Sequence, residues 1–183
     1  MHKTALKSNF ITLIFLGLMA HSLAQTKKSG PIIADYGSVW KVDKQDFKVN
    51  TTKTYRVVFD VSYSPNDKSQ LNASIETAAR FLNMHAQNGV PLNQLKVALV
   101  VHGKAAKDLL LSEAYIAKCG VENPNEELLN DLMHVGVDVV LCGQTFSSNG
   151  FLKEDLINGV QLSLSAMTAL IQLQDDNYRL IKF

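Results

Sequence analysis

Two hydrophobic periodicities alternate along the chain. Short, nearly unbroken apolar runs rich in β-branched and aromatic residues occur at 55–63, 95–101 and 137–142, with shorter ones at 160–163 and 178–183. Runs of this length and content predict strands covered on both faces, as in parallel sheets. Between them, apolar positions recur every three or four residues. Leu71, Ile75, Ala78, Ala79, Leu82 and Ala86 form one helical stripe, stopped at Asn88-Gly89. Pro124, Glu126 and Glu127 open another, which carries Leu128, Leu129, Leu132 and Met133 to a stop at Gly136. Residues 104–111 and 112–118 read as a broken helical stretch closed by Gly120, and 153–157 as a short turn of helix before Asn158-Gly159. Residues 166–174 form the last helix, with Met167, Leu170, Ile171 and Leu173 on its apolar side.

Strands alternating with helices predict right-handed crossovers and a parallel sheet, hence a three-layer α/β domain over 55–183. Residues 25–54 have no such period. They carry Lys27-Lys28-Ser29-Gly30-Pro31 and the scattered aromatics Tyr36, Trp40 and Phe47. Aromatic side chains in an aperiodic segment predict an arm that packs across a surface, either of its own domain or of a neighbouring subunit. There are no repeats or low-complexity tracts.

Residues 1–24 read as a leader. Lys3 and Lys7 precede an uncharged apolar stretch at 10–19, and Ser22 and Ala24 put small residues where a signal peptidase cuts. The stretch is too short to span a bilayer comfortably. Cleavage is expected after Ala24, giving a periplasmic or secreted protein with no membrane attachment. The leader contains Lys3 and Lys7 and no acid, so its removal takes the formal charge from +1 to −1. That balance argues against a nucleic-acid or anionic-membrane partner, which calls for a basic surplus. Two cysteines, Cys119 and Cys142, are too few for a disulfide-built scaffold, though one bridge between them stays open.

Cys142 draws attention because it lies at the carboxyl end of an apolar strand run, followed by Gly143, Gln144 and Thr145. In parallel α/β sheets that edge is where ligands bind. A thiol followed soon by a helix meets unpaired N–H groups that favour thiolate. The plain alternative is a small buried packing residue. His102-Gly103 leaves a second strand and Ser165 follows a fourth, so the rim gathers Cys142, His102, Gln144, Thr145, Gly103, Gly143 and Ser165. A cysteine and a histidine leaving adjacent strands suit a thiolate with a proton partner. Gln144, Thr145 and loop amides would donate hydrogen bonds to an anionic adduct on sulfur. His102 equally fits a helix-capping or half-buried role, and the two glycines fit backbone geometry. His85 and His134 read as structural or exposed helix residues, and Cys119 as an inert thiol at a helix end. There is no phosphate-cradling glycine loop, no CxxC and no G-x-S-x-G elbow. His102 and Cys142 lack the further ligands a metal site needs, so neither metal nor cofactor is called for.

The series Val100-Val101-His102-Gly103, Gly136-Val137, Leu141-Cys142-Gly143-Gln144-Thr145, Glu154-Asp155-Leu156, Ala166 to Gln174 and Tyr178-Arg179-Leu180-Ile181 resembles the DsrE/DsrF-like sulfur-relay family, in its exported single-domain branch. The resemblance implies a flavodoxin-like fold of about five mostly parallel strands that assembles into trimers or hexamers. In relay members one cysteine on a strand-end loop carries sulfur as a persulfide, and the matching position is Cys142, with His102 and Gln144 near it. Well-understood relays work in the cytosol, which the leader contradicts, so a different sulfur compound or acceptor protein is implied. The expected activity is binding or transfer of sulfane sulfur on Cys142. The alternative is a non-catalytic oligomeric binding module in which Cys142 is packing.

Overall fold

The structure, a computed structural model, describes residues 26–182. The expected leader and its cleavage point lie outside the described residues.

Five strands form one sheet: β1 (Tyr55–Val61), β2 (Leu95–Val101), β3 (Asp138–Cys142), β4 (Gln161–Ser163) and β5 (Arg179–Ile181). They lie in the order β4-β3-β2-β1-β5, and every neighbouring pair is parallel. Helices α1 (Ala73–Gln87), α2 (Ser112–Cys119), α3 (Glu126–His134), α4 (Gly143–Ser148) and α5 (Ala166–Asp175) complete the flavodoxin-like sandwich. A 3₁₀ segment, Gly103–Leu109, leaves β2.

The first strand is two residues shorter than the apolar run at 55–63 suggests. Past Val61 the main chain changes partners: the Ser62 carbonyl accepts from the Ala105 amide at 3.3 Å and the Tyr63 carbonyl from Asn72 Nδ2 at 2.8 Å. Helix α4 begins directly after Cys142, where the sequence reads as a loop. Its run Gly-Gln-Thr-Phe-Ser-Ser has no apolar stripe; Phe146 anchors it edge-on against Phe151, ring centroids 6.4 Å apart.

The two faces of the sheet are covered unequally. Alternate residues of the central strands, among them Val57, Phe59, Leu99, Val101 and Leu141, enter a large core with α1 and α3. The opposite residues, Val58, Ala98, Val100 and Cys142, meet Ala166 and Ala169 of α5 in a small core, with Leu170, Leu173 and Tyr178 packed at its edge. Alanines on both sides let α5 lie close to the sheet. Its outer positions Met167 and Ile171 stay exposed, as does Leu164 before it.

The arm lies on its own domain, against α1. Asn83, fully buried on α1, accepts from the amides of Ile32 and Ile33 at 3.1 and 2.9 Å. Its Nδ2 donates to the carbonyls of Ile33, Tyr36 and Gly37 at 2.9, 2.9 and 3.3 Å. Gly37 sits so close to α1 that a Cβ there would lie 2.5 Å from the Ala79 carbonyl carbon.

Candidate functional site

Cys142 ends β3 and caps α4, and its residue is 6% exposed. The strand alternation turns it toward α5. Burial pushes its thiol up, but four donors outweigh that and hold it below the ordinary cysteine value. They are the Thr145 amide and hydroxyl and the amides of Ala166 and Gln144. Three of these donors come from the first turn of α4 and the fourth from the first residue of α5. That convergence requires the β4–α5 loop to press on α4. It does so at Gly143, where a Cβ would lie 2.3 Å from the Ser163 carbonyl oxygen. Here the glycine serves close approach, not an unusual backbone angle.

The other rim residues divide by role. The Gln144 side chain is committed to the Leu164 carbonyl at 3.2 Å, so its contribution to the sulfur comes from its main-chain N–H. Thr145 Oγ1 accepts from the Gly103 amide at 3.3 Å while donating to the sulfur, which links the ends of β2 and β3. Gly103 holds φ at +58°, a left-handed backbone that favours glycine. Ser165 is the N-cap of α5, accepting from the Thr168 amide at 3.0 Å, and is 7% exposed. It anchors the helix whose first amide reaches Cys142.

β2 and β3 are adjacent, so His102 and Cys142 do leave neighbouring strands, each one step beyond or at the end of the paired register. The His102 ring is engaged elsewhere: Nε2 lies 2.7 Å from Asp60 Oδ1. Lys182 Nζ donates to Asp60 Oδ2 at 2.6 Å. Burial pushes the Asp60 carboxyl up, yet the hydrogen bonds from Lys182 and His102 prevail and hold it below the usual carboxylate range. A carboxylate only accepts, so His102 Nε2 carries a hydrogen. Sequence reading missed Asp60 and Lys182. The available signal was a lone acid inside the apolar run Arg56-Val57-Val58-Phe59-Asp60-Val61.

On the other face a buried polar network ties the rim loops together. Asp108, 1% exposed, pairs with Lys107 and accepts from Ser64 Oγ at 3.0 Å and Asn72 Nδ2 at 2.8 Å. Asn123 Nδ2 donates to the Asp108 and Leu110 carbonyls at 2.9 and 2.6 Å. Among the described residues no buried side-chain polar atom lacks a partner, so this network is structural scaffolding.

Cys119 and Cys142 are both free and pack against cores on opposite faces of the sheet, so the two are not a pair poised to bridge. Among the described residues no cluster of three His, Cys, Asp or Glu side chains is placed to hold a metal, and no helix is long and apolar enough to cross a membrane.

No curated protein matches the chain. Two solved structures share its fold at a TM-score of 0.54, each matched over 99% of its own length by 70% of this chain. One is a protein of unknown function, MTH1491, from Methanobacterium thermoautotrophicum, 19% identical; the other is the ychN protein from E. coli, 21% identical. The DsrE/DsrF-like family model matches residues 56–183, from the second residue of β1 through β5. With a cysteine at the carboxyl edge of a five-stranded parallel sheet and a family match over most of its length, the chain belongs to the DsrE/DsrF-like family.

Proposed function

We propose that this is an exported sulfur carrier that binds or transfers sulfane sulfur as a persulfide on Cys142. The observation that carries the reading is the place of Cys142, at the end of β3 and directly before α4, where neighbouring donors hold its thiol below the ordinary cysteine value. A thiolate is the nucleophilic form, and donors arranged to hold its charge also hold the charge of a terminal persulfide sulfur. Attack on thiosulfate balances without an external oxidant: Cys142–S⁻ joins the outer sulfur, the donor S–S bond breaks, and sulfite leaves with the electron pair. The alternative is a ligand- or protein-binding module in which Cys142 is packing; its 6% exposure is the feature that favours it.

The test is the intact mass of the purified protein before and after polysulfide or thiosulfate, alongside Cys142→Ser and Cys119→Ser variants. A gain in sulfur mass lost only in Cys142→Ser supports the carrier. No gain, with Cys142 slow to alkylate at neutral pH, supports the module.

We also propose that the α5 face is buried against further copies of the chain. Leu164 and Met167 are each 73% exposed, and Ile171 adjoins them on a face served by a single helix. A contiguous apolar patch of this kind marks an interface. Sedimentation of the protein and of Met167→Lys/Ile171→Asp decides it: a larger species that falls to a monomer supports the assembly, and a wild-type monomer sinks it.

A further inference from the structure

We propose that Asp60 is a positioning residue for sulfur transfer, acting through His102 on donors whose departing sulfur needs a proton. This rests on the reading of Cys142 as the sulfur-carrying thiol.

Three observations carry it. Asp60 is the lone acid of β1, its side chain 9% exposed between Phe59 and Val61. Burying a carboxylate costs free energy unless it is paired, and here both oxygens are taken, one by His102 and one by Lys182. Second, the alternation that turns Cys142 toward α5 turns Asp60 and His102 the same way. Asp60 pairs with Val100, and His102 continues β2 in extended conformation, with φ −153°. Extending the paired register of Val101 with Leu141 by one step sets His102 beside Cys142. Third, the Gly103 amide directly after His102 bonds the Thr145 hydroxyl, the same hydroxyl that donates to the sulfur. The turn that carries His102 and the loop that carries the thiol are thereby held side by side.

With Nε2 held by Asp60, Nδ1 is the ring position left to exchange a proton, and the ring is 30% exposed. Loading from an organic persulfide runs as Cys142–S⁻ + R–S–SH → Cys142–S–SH + R–S⁻. The new S–S bond forms to the outer sulfur, the donor S–S bond breaks, and its electron pair leaves on R–S⁻. Imidazolium at His102 then gives its proton to R–S⁻, leaving R–SH and neutral imidazole; no oxidant or reductant is consumed. Alkylation by iodoacetamide uses the same thiolate, but iodide departs without a proton. The two reactions separate proton delivery from thiolate formation.

The experiment compares loading from glutathione persulfide with alkylation by iodoacetamide, both followed by mass in a Cys119→Ser background. Proton transfer by a positioned group contributes about 10²–10⁴-fold, so Asp60→Asn is expected to slow persulfide loading by roughly tenfold or more. Alkylation is expected to change less than about twofold, which also reports that the variant folds. His102→Gln, which leaves the Asp60–Lys182 pair in place, is expected to show the same split. Equal slowing of both reactions would make Asp60 merely structural, and no slowing of either would remove its role; each overturns the proposal. Failure of the unaltered Cys142 protein to load, with normal alkylation, overturns the carrier reading itself and this inference with it.

Discussion

The most direct probe of the site is Thr145→Val, which keeps the side chain's shape and deletes one donor to Cys142. A hydrogen bond to a charged group contributes about 1.5–3 kcal/mol, and sulfur is a weak acceptor, so the lower end applies. The amides of Gln144, Thr145 and Ala166 stay in place, so the sulfur loses a single donor, while the exposed Gly103 amide loses its acceptor in Thr145 Oγ1. About 1.4 kcal/mol corresponds to tenfold in an equilibrium, so the thiolate population near neutral pH should fall about tenfold. Reactivity should fall less, because a more basic thiolate is a better nucleophile. With a Brønsted slope of about 0.45, tenfold less thiolate becomes roughly threefold slower attack. In a Cys119→Ser background, thiolate absorbance across a pH titration reads the population, and iodoacetamide reads the rate. A thiolate population unchanged by Thr145→Val would refute the assignment of the hydroxyl to the sulfur and weaken the whole cradle.

Four further outcomes follow from the same contacts. Gly143→Ala would place its Cβ 2.3 Å from the Ser163 oxygen; overpacking of this kind costs about 1–3 kcal/mol, read as a lower urea midpoint, and should separate the Ala166 amide from the sulfur. Asn83→Ala removes five bonds to the arm. Because the freed arm is rehydrated, the loss should be about 3 kcal/mol and not the sum of isolated bonds, with new tryptic cuts at Lys41 and Lys44; an unchanged digest would sink the docking account. Burial holds the His85 imidazole below its ordinary value, while its bond to the Phe81 carbonyl works against that. The unfolded chain therefore binds the proton more tightly: stability is full above about pH 6.5 and is lost as pH falls below it, so His85→Phe should flatten the loss in urea midpoints measured across that range. Asp60, held low in the folded state, contributes stability that is present at neutral pH and disappears only as pH falls through and below the ordinary carboxylate range; Asp60→Asn, which weakens its contacts with Lys182 and His102, should lower the urea midpoint near neutrality and flatten the acid-side slope.

Hydrophobic periodicity made the architecture legible, because the runs of β1, β2 and β3 are largely buried and α1 and α3 carry apolar stripes. The same runs put His102 and Cys142 at neighbouring strand ends. What periodicity does not carry is register. That Asp60 meets His102 depends on β1 and β2 aligning Asp60 with Val100, and a one-residue slip would turn the carboxylate into the other core. The Ala166 amide is equally invisible, since a backbone donor leaves no mark in residue identity. Ser165 looked like a rim hydroxyl for a ligand; its oxygen instead caps α5, a role that Ser before a helical stripe also announces. Helix α4 escaped because tertiary contacts from Phe146, not a stripe, hold it. The arm's aromatics signalled packing without naming the surface. Asn83, one polar residue inside the buried stripe of α1, was the clue to which surface.

The unequal faces of the sheet separate two jobs. Ile33 carries the arm into the core on the α1 side, and Asn83 fastens it there. Cys142, Asp60 and His102 project to the other side, where α5 alone covers the sheet. A continuous layer of strand side chains lies between, so the arm neither shields the thiol nor offers it a donor. The arm's contribution falls on stability, while access to the Cys142 sulfur is governed by Gly143 and the β4–α5 loop. Distant sites with no shared partner add independently. Arm variants and cradle variants should therefore combine without coupling, whereas Gly143 and Thr145 variants, which act on one sulfur, should not.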